Sequence, residues 1–180
     1  VYTMSLVPVS SLLTRLQPLV TAAQPAPLSA PTVRAARATA VEAIAALINH
    51  YAALGDMLPR KAESVRANLP EFIVVEADGK VIACGALHRW DEASAEVRSL
   101  AVSAHYAGKG LGKRIVNELL EQGRARQFTL IFALTLKVGF FEKLGFREVS
   151  KSTLPQKIWG DCIICPFLFN CREYAVTLNL

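Results

Sequence analysis

The sequence predicts an α/β domain of the mixed α+β kind, and three observations carry that reading. Two β-rich runs flank an Asp78-Gly79 turn, a glycine-spaced turn joins a strand-like run to a helix-like one, and the two periods alternate through the remainder of the chain. A chain of 180 residues, 52% hydrophobic and 19% charged, is long enough to bury one core and too apolar for wholesale disorder. No uninterrupted apolar run reaches the roughly 18 residues of a membrane-spanning helix, so a membrane partner is not expected. The net charge of +5 invites a nucleic-acid reading. The first 40 residues, however, hold Arg15, Arg34 and Arg37 and no acid, which leaves only +2 dispersed over the rest, with no basic stripe among aromatics. Nucleic acid is therefore not an expected partner.

Residues 1–31 contain Pro8, Pro18, Pro25, Pro27 and Pro31 and many Ser, Thr and Ala, a composition that cannot carry a regular helix. They read as a disordered or extended tail, a transit peptide being the alternative. The folded domain is expected over residues 32–180. Thr32-Val33-Arg34 opens it as a short strand. Ala38 to Leu54 places Val41, Ile44, Ala45, Ile48 and Tyr51 at helical spacing, with Thr39 as N-cap and Gly55 as terminator. Arg60 to Asn68 is a shorter helix stopped by Pro70. The hairpin pairs Phe72 to Glu76 with Lys80 to His88. Ala95 to Val102 is a third strand, Leu111 to Gln127 a helix with Leu111, Ile115, Leu119 and Leu120 along one face, and Phe128 to Leu134 a buried strand. A short helix over Val138 to Leu144, a turn at Gly145 into a strand reaching Val149, and a closing strand from Glu173 to Leu180 complete the pattern. No internal repeat is present.

Between the third strand and its helix lies Ala107-Gly108-Lys109-Gly110-Leu111-Gly112-Lys113. Alternate glycines let successive backbone N–H groups converge on one point at the positive end of a helix, which suits a pyrophosphate. The string lacks the Gly-Lys-Ser/Thr ending of a nucleotide P-loop, and no acidic residue about 20 positions on completes a dinucleotide fingerprint. Together with Phe140-Phe141-Glu142-Lys143-Leu144-Gly145-Phe146 and the order of elements around both blocks, it resembles the GNAT acetyltransferases over about Thr32 to Val149. The resemblance implies the GNAT fold, a central mixed and mostly antiparallel sheet flanked by helices, with acetyl-CoA as co-substrate. It also implies that Ala107, Gly108, Lys109, Gly110, Leu111, Gly112 and Lys113 cradle the pyrophosphate, that Leu100, Ala101 and Val102 line the pantetheine chain, and that Phe141 packs beside it. Two departures stand out. Ala107 replaces the usual Gln or Arg, and Phe141 stands where many members carry a Tyr that protonates the departing thiolate, so that role passes to water, to Ser99 or Thr135, or to no group.

The chemistry follows from the ligand. An amine must lose a proton before it attacks a thioester, and the developing oxyanion needs a fixed N–H donor. Strand alternation puts Glu96, Arg98 and Leu100 on one face. By the family resemblance Glu96 is the catalytic base and the Leu100 N–H the oxyanion donor; the competing reading is a Glu96–Arg98 pair on a solvated sheet edge. The Arg98 fork suits a carboxylate on the acceptor, or else Glu96 itself. His88 could face the same cleft or be an ordinary edge residue.

The C-terminal block 157–180, with Lys157-Ile158-Trp159-Gly160-Asp161-Cys162 and then Cys165, Cys171 and Glu173, is similar to that of the short, stand-alone bacterial N-acetylglutamate synthases. So are Cys84-Gly85-Ala86-Leu87-His88 and the run from Glu96 to Val102. The resemblance implies acetyl transfer to the α-amine of L-glutamate, in arginine biosynthesis and in the cytoplasm, with Arg98 and Lys157 as cationic anchors; Lys157 reads equally as a surface lysine. Phe167 and Arg172 depart from that block's usual form, where a lysine and an acidic residue are expected. Cys162, Cys165 and Cys171 offer three thiols where zinc normally takes four ligands, so free thiols are expected ahead of a metal or a disulfide, and no metal is assigned. Another amino-acid, polyamine or protein N-terminal acceptor, or a non-catalytic acetyl-CoA sensor, are the alternatives. A homodimer stays open.

Overall fold

The computed structural model describes residues 30–154, Cys165 and residues 168–180. Strands β2 (Phe72–Ala77) and β3 (Lys80–Arg89) form the expected hairpin, closed where Asp78 (φ 51°) and Gly79 (φ 72°) both adopt the left-handed conformation that a tight two-residue turn demands. Strand β1 (Thr32–Ala35) pairs antiparallel with β2 along the outer edge, where Arg34 and Glu76 form an ion pair. Helix α1 (Val41–Ala53) buries Val41, Ile44, Ala45 and Ile48 against one face of the sheet, and α2 (Ala62–Ala67) adds Val65 to the same layer. Thr39 is not the N-cap of α1. It lies inside a 3-10 turn at Ala38–Ala40 that runs directly into the helix, and neither terminus of that turn is capped by a side chain.

Strand β4 (Ser94–Val102) continues the antiparallel order, and helix α3 (Leu111–Ala125) crosses to the opposite face, burying Leu111, Ile115, Val116, Leu119 and Leu120. Strand β5 (Leu130–Thr135), helix α4 (Val138–Glu142), strand β6 (Arg147–Val149) and strand β7 (Tyr174–Asn179) complete a seven-stranded sheet of order β1-β2-β3-β4-β5-β7-β6. Among the described residues every pairing is antiparallel except β4 with β5. One core lies between the sheet and α3–α4, and a second between the sheet and α1–α2.

Two irregularities in β4 shape everything that follows. Its parallel pairing with β5 holds only at Ser94, Ala95 and Glu96, opposite Leu130, Ile131 and Phe132, and the two strands then part. On the β3 side, Arg98 faces Ala86 and Ala101 faces Cys84, so Ser99 and Leu100 oppose the single residue Gly85. This is a β-bulge, and Ser99 adopts φ 54° within it. The extra residue overturns the expectation that Glu96, Arg98 and Leu100 share a face. Leu100 is turned to the α3 side, where its Cδ1 would lie 3.4 Å from a Cβ added at Gly85, beside Ile115 and Leu119. Glu96 and Arg98 stay on the other face. Plain alternation missed this because a bulge leaves no periodic trace.

Candidate active site

Where β4 and β5 part, a cleft of about 890 Å³ opens, lined along one wall by Glu96 to Val102 and along the other by Leu134 to Lys137. Its two ends are built differently. At one end α3 begins, with Gly110 at φ 74° as the N-terminal boundary residue and Gly108 at φ 73° just before it. Left-handed backbone at these two positions leads into the first α3 turn, whose N–H groups have no partner within the helix. Ala107, Gly108, Gly110, Leu111, Gly112 and Lys113 line it. Lys109 does not; its Nζ sits 5.0 Å over the Tyr106 ring. A Cβ at Gly112 would lie 3.4 Å from the Phe140 ring and 3.7 Å from Val102, so α3 starts in close contact with both. Phe141 is buried, edge-on to Phe140 and Phe146 at 5.1 Å each, and lines the cleft without a proton to offer. A nest of backbone donors beside a half-open strand edge fits the pyrophosphate and extended amide chain of coenzyme A. Leu100, Ala101 and Val102 lie on that edge, and the Val102 carbonyl accepts a hydrogen bond from the Tyr51 hydroxyl.

The other end is built from side chains. Glu96 and Arg98, with side chains 13% and 14% exposed, lie 3.9 Å apart from guanidinium nitrogen to carboxylate oxygen. The Trp90 indole N–H donates to Glu96 at 3.2 Å. Burial pushes the Glu96 carboxyl above its ordinary range, against the opposing pull of Arg98, Trp90, His88 and Arg60. The pair is thus not a solvated edge pair. Arg98 has a nearer partner in Glu71, which accepts from its Nη2 at 3.2 Å. The other Glu71 oxygen lies 2.8 Å from Nδ1 of His88. Burial works to raise the Glu71 carboxyl, but His88 and Arg98 outweigh it and hold it below the usual value. His88 is therefore one shell behind the cleft, not in it, because Glu71 and an edge-on contact with Trp90 at 5.5 Å engage the ring.

Arg60, just ahead of α2, lines the cleft and donates from Nε to the Ser99 hydroxyl at 2.9 Å across the bulge. Thr135 lines the opposite wall, its hydroxyl accepting from the Lys137 N–H at 2.9 Å. Glu173, at the head of β7, also faces the cleft, its carboxyl raised by burial against the pull of Lys151. Lys157 and Cys162 lie outside the described residues. Cys165 lines the cleft, Cys171 is exposed with Lys151 Nζ at 3.1 Å, and burial drives the Cys84 thiol to about 12. Arg60, Glu71 and Trp90 were not foreseen. Each belongs to a segment with no motif of its own, and only the folding of distant segments brings them to β4.

The acetyltransferase (GNAT) family model matches residues 40–146. An uncharacterised N-acetyltransferase of Chlorobaculum tepidum is 38% identical over 82% of this chain and 96% of its own length. An amino-acid acetyltransferase of Mycobacterium tuberculosis is 33% identical over 81% of this chain and 80% of its own. Among solved structures, N-acetylglutamate synthase from Neisseria gonorrhoeae complexed with coenzyme A and N-acetyl-glutamate superposes with a TM-score of 0.76 at 28% identity. That match covers 84% of this chain and 35% of that longer protein.

Proposed function

This chain belongs to the GNAT acetyltransferase family, its co-substrate is acetyl-CoA, and on that premise we propose that it acetylates the α-amine of an amino acid, L-glutamate first among them. The observation that carries the reading is the placement of a desolvated carboxyl, Glu96, beside the cationic side chains of Arg98 and Arg60, on the strand edge that the thioester would follow. The amino-acid acetyltransferase of M. tuberculosis and the N-acetylglutamate synthase of N. gonorrhoeae support the same acceptor class.

In this mechanism the glycine-spaced turn and the first turn of α3 hold the pyrophosphate, and Leu100 to Val102 guide the pantetheine chain toward the bulge. Arg60 and Arg98 draw the acceptor carboxylates to the opposite end. Glu96, directly or through a water, removes a proton from the α-ammonium, which otherwise stays largely protonated up to about pH 8. Its raised pKa makes it a better base than an exposed glutamate. The Leu100 N–H, next to the bulge, stabilises the oxyanion as the C–N bond forms, and the C–S bond then breaks. Phe141 gives no proton to the thiolate; Ser99 and Thr135 are among the hydroxyl-bearing residues that line the cleft, with Tyr51 and Tyr106.

One observation favours a second acceptor class. Arg98 already has Glu71 and Glu96 as carboxylate partners, which suits an acceptor with a neutral side chain and a single carboxylate. Thiol release from acetyl-CoA over a panel of amino acids, with wild type beside Glu96→Gln and Arg98→Ala, separates the readings. Glutamate-selective turnover that is lost in Glu96→Gln, with a raised glutamate KM in Arg98→Ala, supports the first. Equal turnover of glutamate and neutral amino acids would move the assignment to the second.

A further inference from the structure

We propose that Glu71 is a positioning residue that holds Arg98 away from Glu96 and so keeps Glu96 basic enough to take the acceptor's proton. The inference rests on the reading of Glu96 as the base. Four side chains are involved, Glu71, His88, Glu96 and Arg98, of which Glu71 belongs to no motif. Glu71 ends the 3-10 turn Leu69–Glu71, which contains Pro70 and leads into β2, while His88 and Arg98 project from β3 and β4. One carboxylate oxygen of Glu71 binds the Arg98 Nη2 at 3.2 Å and the other the His88 Nδ1 at 2.8 Å. Glu96, by contrast, receives only the far end of the same guanidinium, at 3.9 Å, beyond hydrogen-bond length.

That division has chemical consequences. A guanidinium in full contact with a carboxylate stabilises the ionised form and weakens it as a base. The charged or polar groups facing Glu96 are Arg98 on its own strand, His88 on β3, Trp90 beyond the end of β3 and Arg60 from the segment before α2. Those facing Glu71 are His88 and Arg98. Glu71 engages His88 of β3 and the Arg98 guanidinium of β4. Without its negative charge the guanidinium would act on Glu96 unopposed and would be free to close the remaining gap. Neutralising Glu71 therefore makes Glu96 more acidic.

The test compares wild type, Glu71→Gln, Glu71→Asp and Glu96→Gln. The pH dependence of kcat with acetyl-CoA and a turned-over amino acid is read beside a direct titration of the glutamate carboxyls by ¹³C NMR. In Glu71→Gln the acidic limb of the profile moves down by about one pH unit, the Glu96 carboxyl titrates lower by the same amount, and the plateau rate falls. Glu71→Asp, which keeps the charge, restores most of the wild-type profile. A merely structural Glu71 would lower the melting temperature of Glu71→Gln and leave the limb and the Glu96 titration where they are, which would overturn the inference. If the Glu96 titration moves but the limb does not follow, and Glu96→Gln keeps a wild-type profile, Glu71 still tunes Glu96 and it is the base assignment that fails.

Discussion

The two ends of the cleft are made by different means. The coenzyme A end is backbone: two left-handed glycines and the open first turn of α3, all within residues 107–113. The acceptor end is side chain: Arg60, Trp90, Glu96 and Arg98 line it, with Glu71 and His88 behind them, and the segments that carry them meet only because the sheet assembles. A backbone cradle is specified by local conformation, so it tolerates exchange of neighbouring side chains but not of its glycines. A side-chain cluster is specified by the fold around it and by mutual ionisation. It can be retuned one residue at a time, as befits the end that chooses the acceptor.

Separate lesions should divide the ends cleanly. Glu96→Gln gives the largest effect, a fall in kcat of about 10²- to 10⁴-fold with the acetyl-CoA KM little changed, read by steady-state kinetics in both substrates. Gly110→Ala does the reverse. Adding a Cβ at φ 74° costs roughly 1–2 kcal/mol, so coenzyme A binding measured by calorimetry weakens about ten-fold while the acceptor KM holds. An effect of Gly110→Ala on the acceptor alone would break the division.

Between the two ends, Gly85 of β3 stands opposite the bulge in β4. Its missing Cβ is what lets α3 pack, since an added one would fall 2.6 Å from Ile115 Cγ2. Gly85→Ala should lower unfolding stability by about 1–3 kcal/mol in denaturant titration. The smallest effect concerns the cost of the site itself. The Glu96 carboxyl is raised on folding, so the folded state holds its proton more tightly than the unfolded one, and stability falls as pH rises from the unfolded pKa through the folded one. Glu96→Gln should then melt slightly above wild type at neutral pH and lose that advantage below the unfolded pKa. A lower melting temperature at neutral pH would mean that the Trp90 and Arg98 contacts outweigh desolvation.

The same contrast explains what could be read from the sequence. Asp78-Gly79, the alternate glycines of 107–113 and the apolar face of α3 are local patterns, and the structure has the hairpin, the turn and the helix where they were expected. Glu96 was singled out through the family resemblance and Arg98 through the carboxylate-binding chemistry of its fork, and their burial became visible only in three dimensions. Glu71 gave no signal, because its partners lie 17 and 27 positions away and each contact crosses between elements. The bulge at Ser99 was missed for a related reason. A single inserted residue changes which face Leu100 occupies without altering composition, and the residue opposite it, Gly85, packs against Ile115 of a distant helix.

The most direct measurement identifies the product. Wild-type protein is given acetyl-CoA and an equimolar mixture of amino acids, and the acetylated species are separated by mass spectrometry, with Glu96→Gln in parallel. The account predicts glutamate acetylated on its α-nitrogen, in step with the thiol released, and its loss in the variant. Thiol release with no acetylated amino acid, or a product that Glu96→Gln makes as fast as wild type, would contradict it.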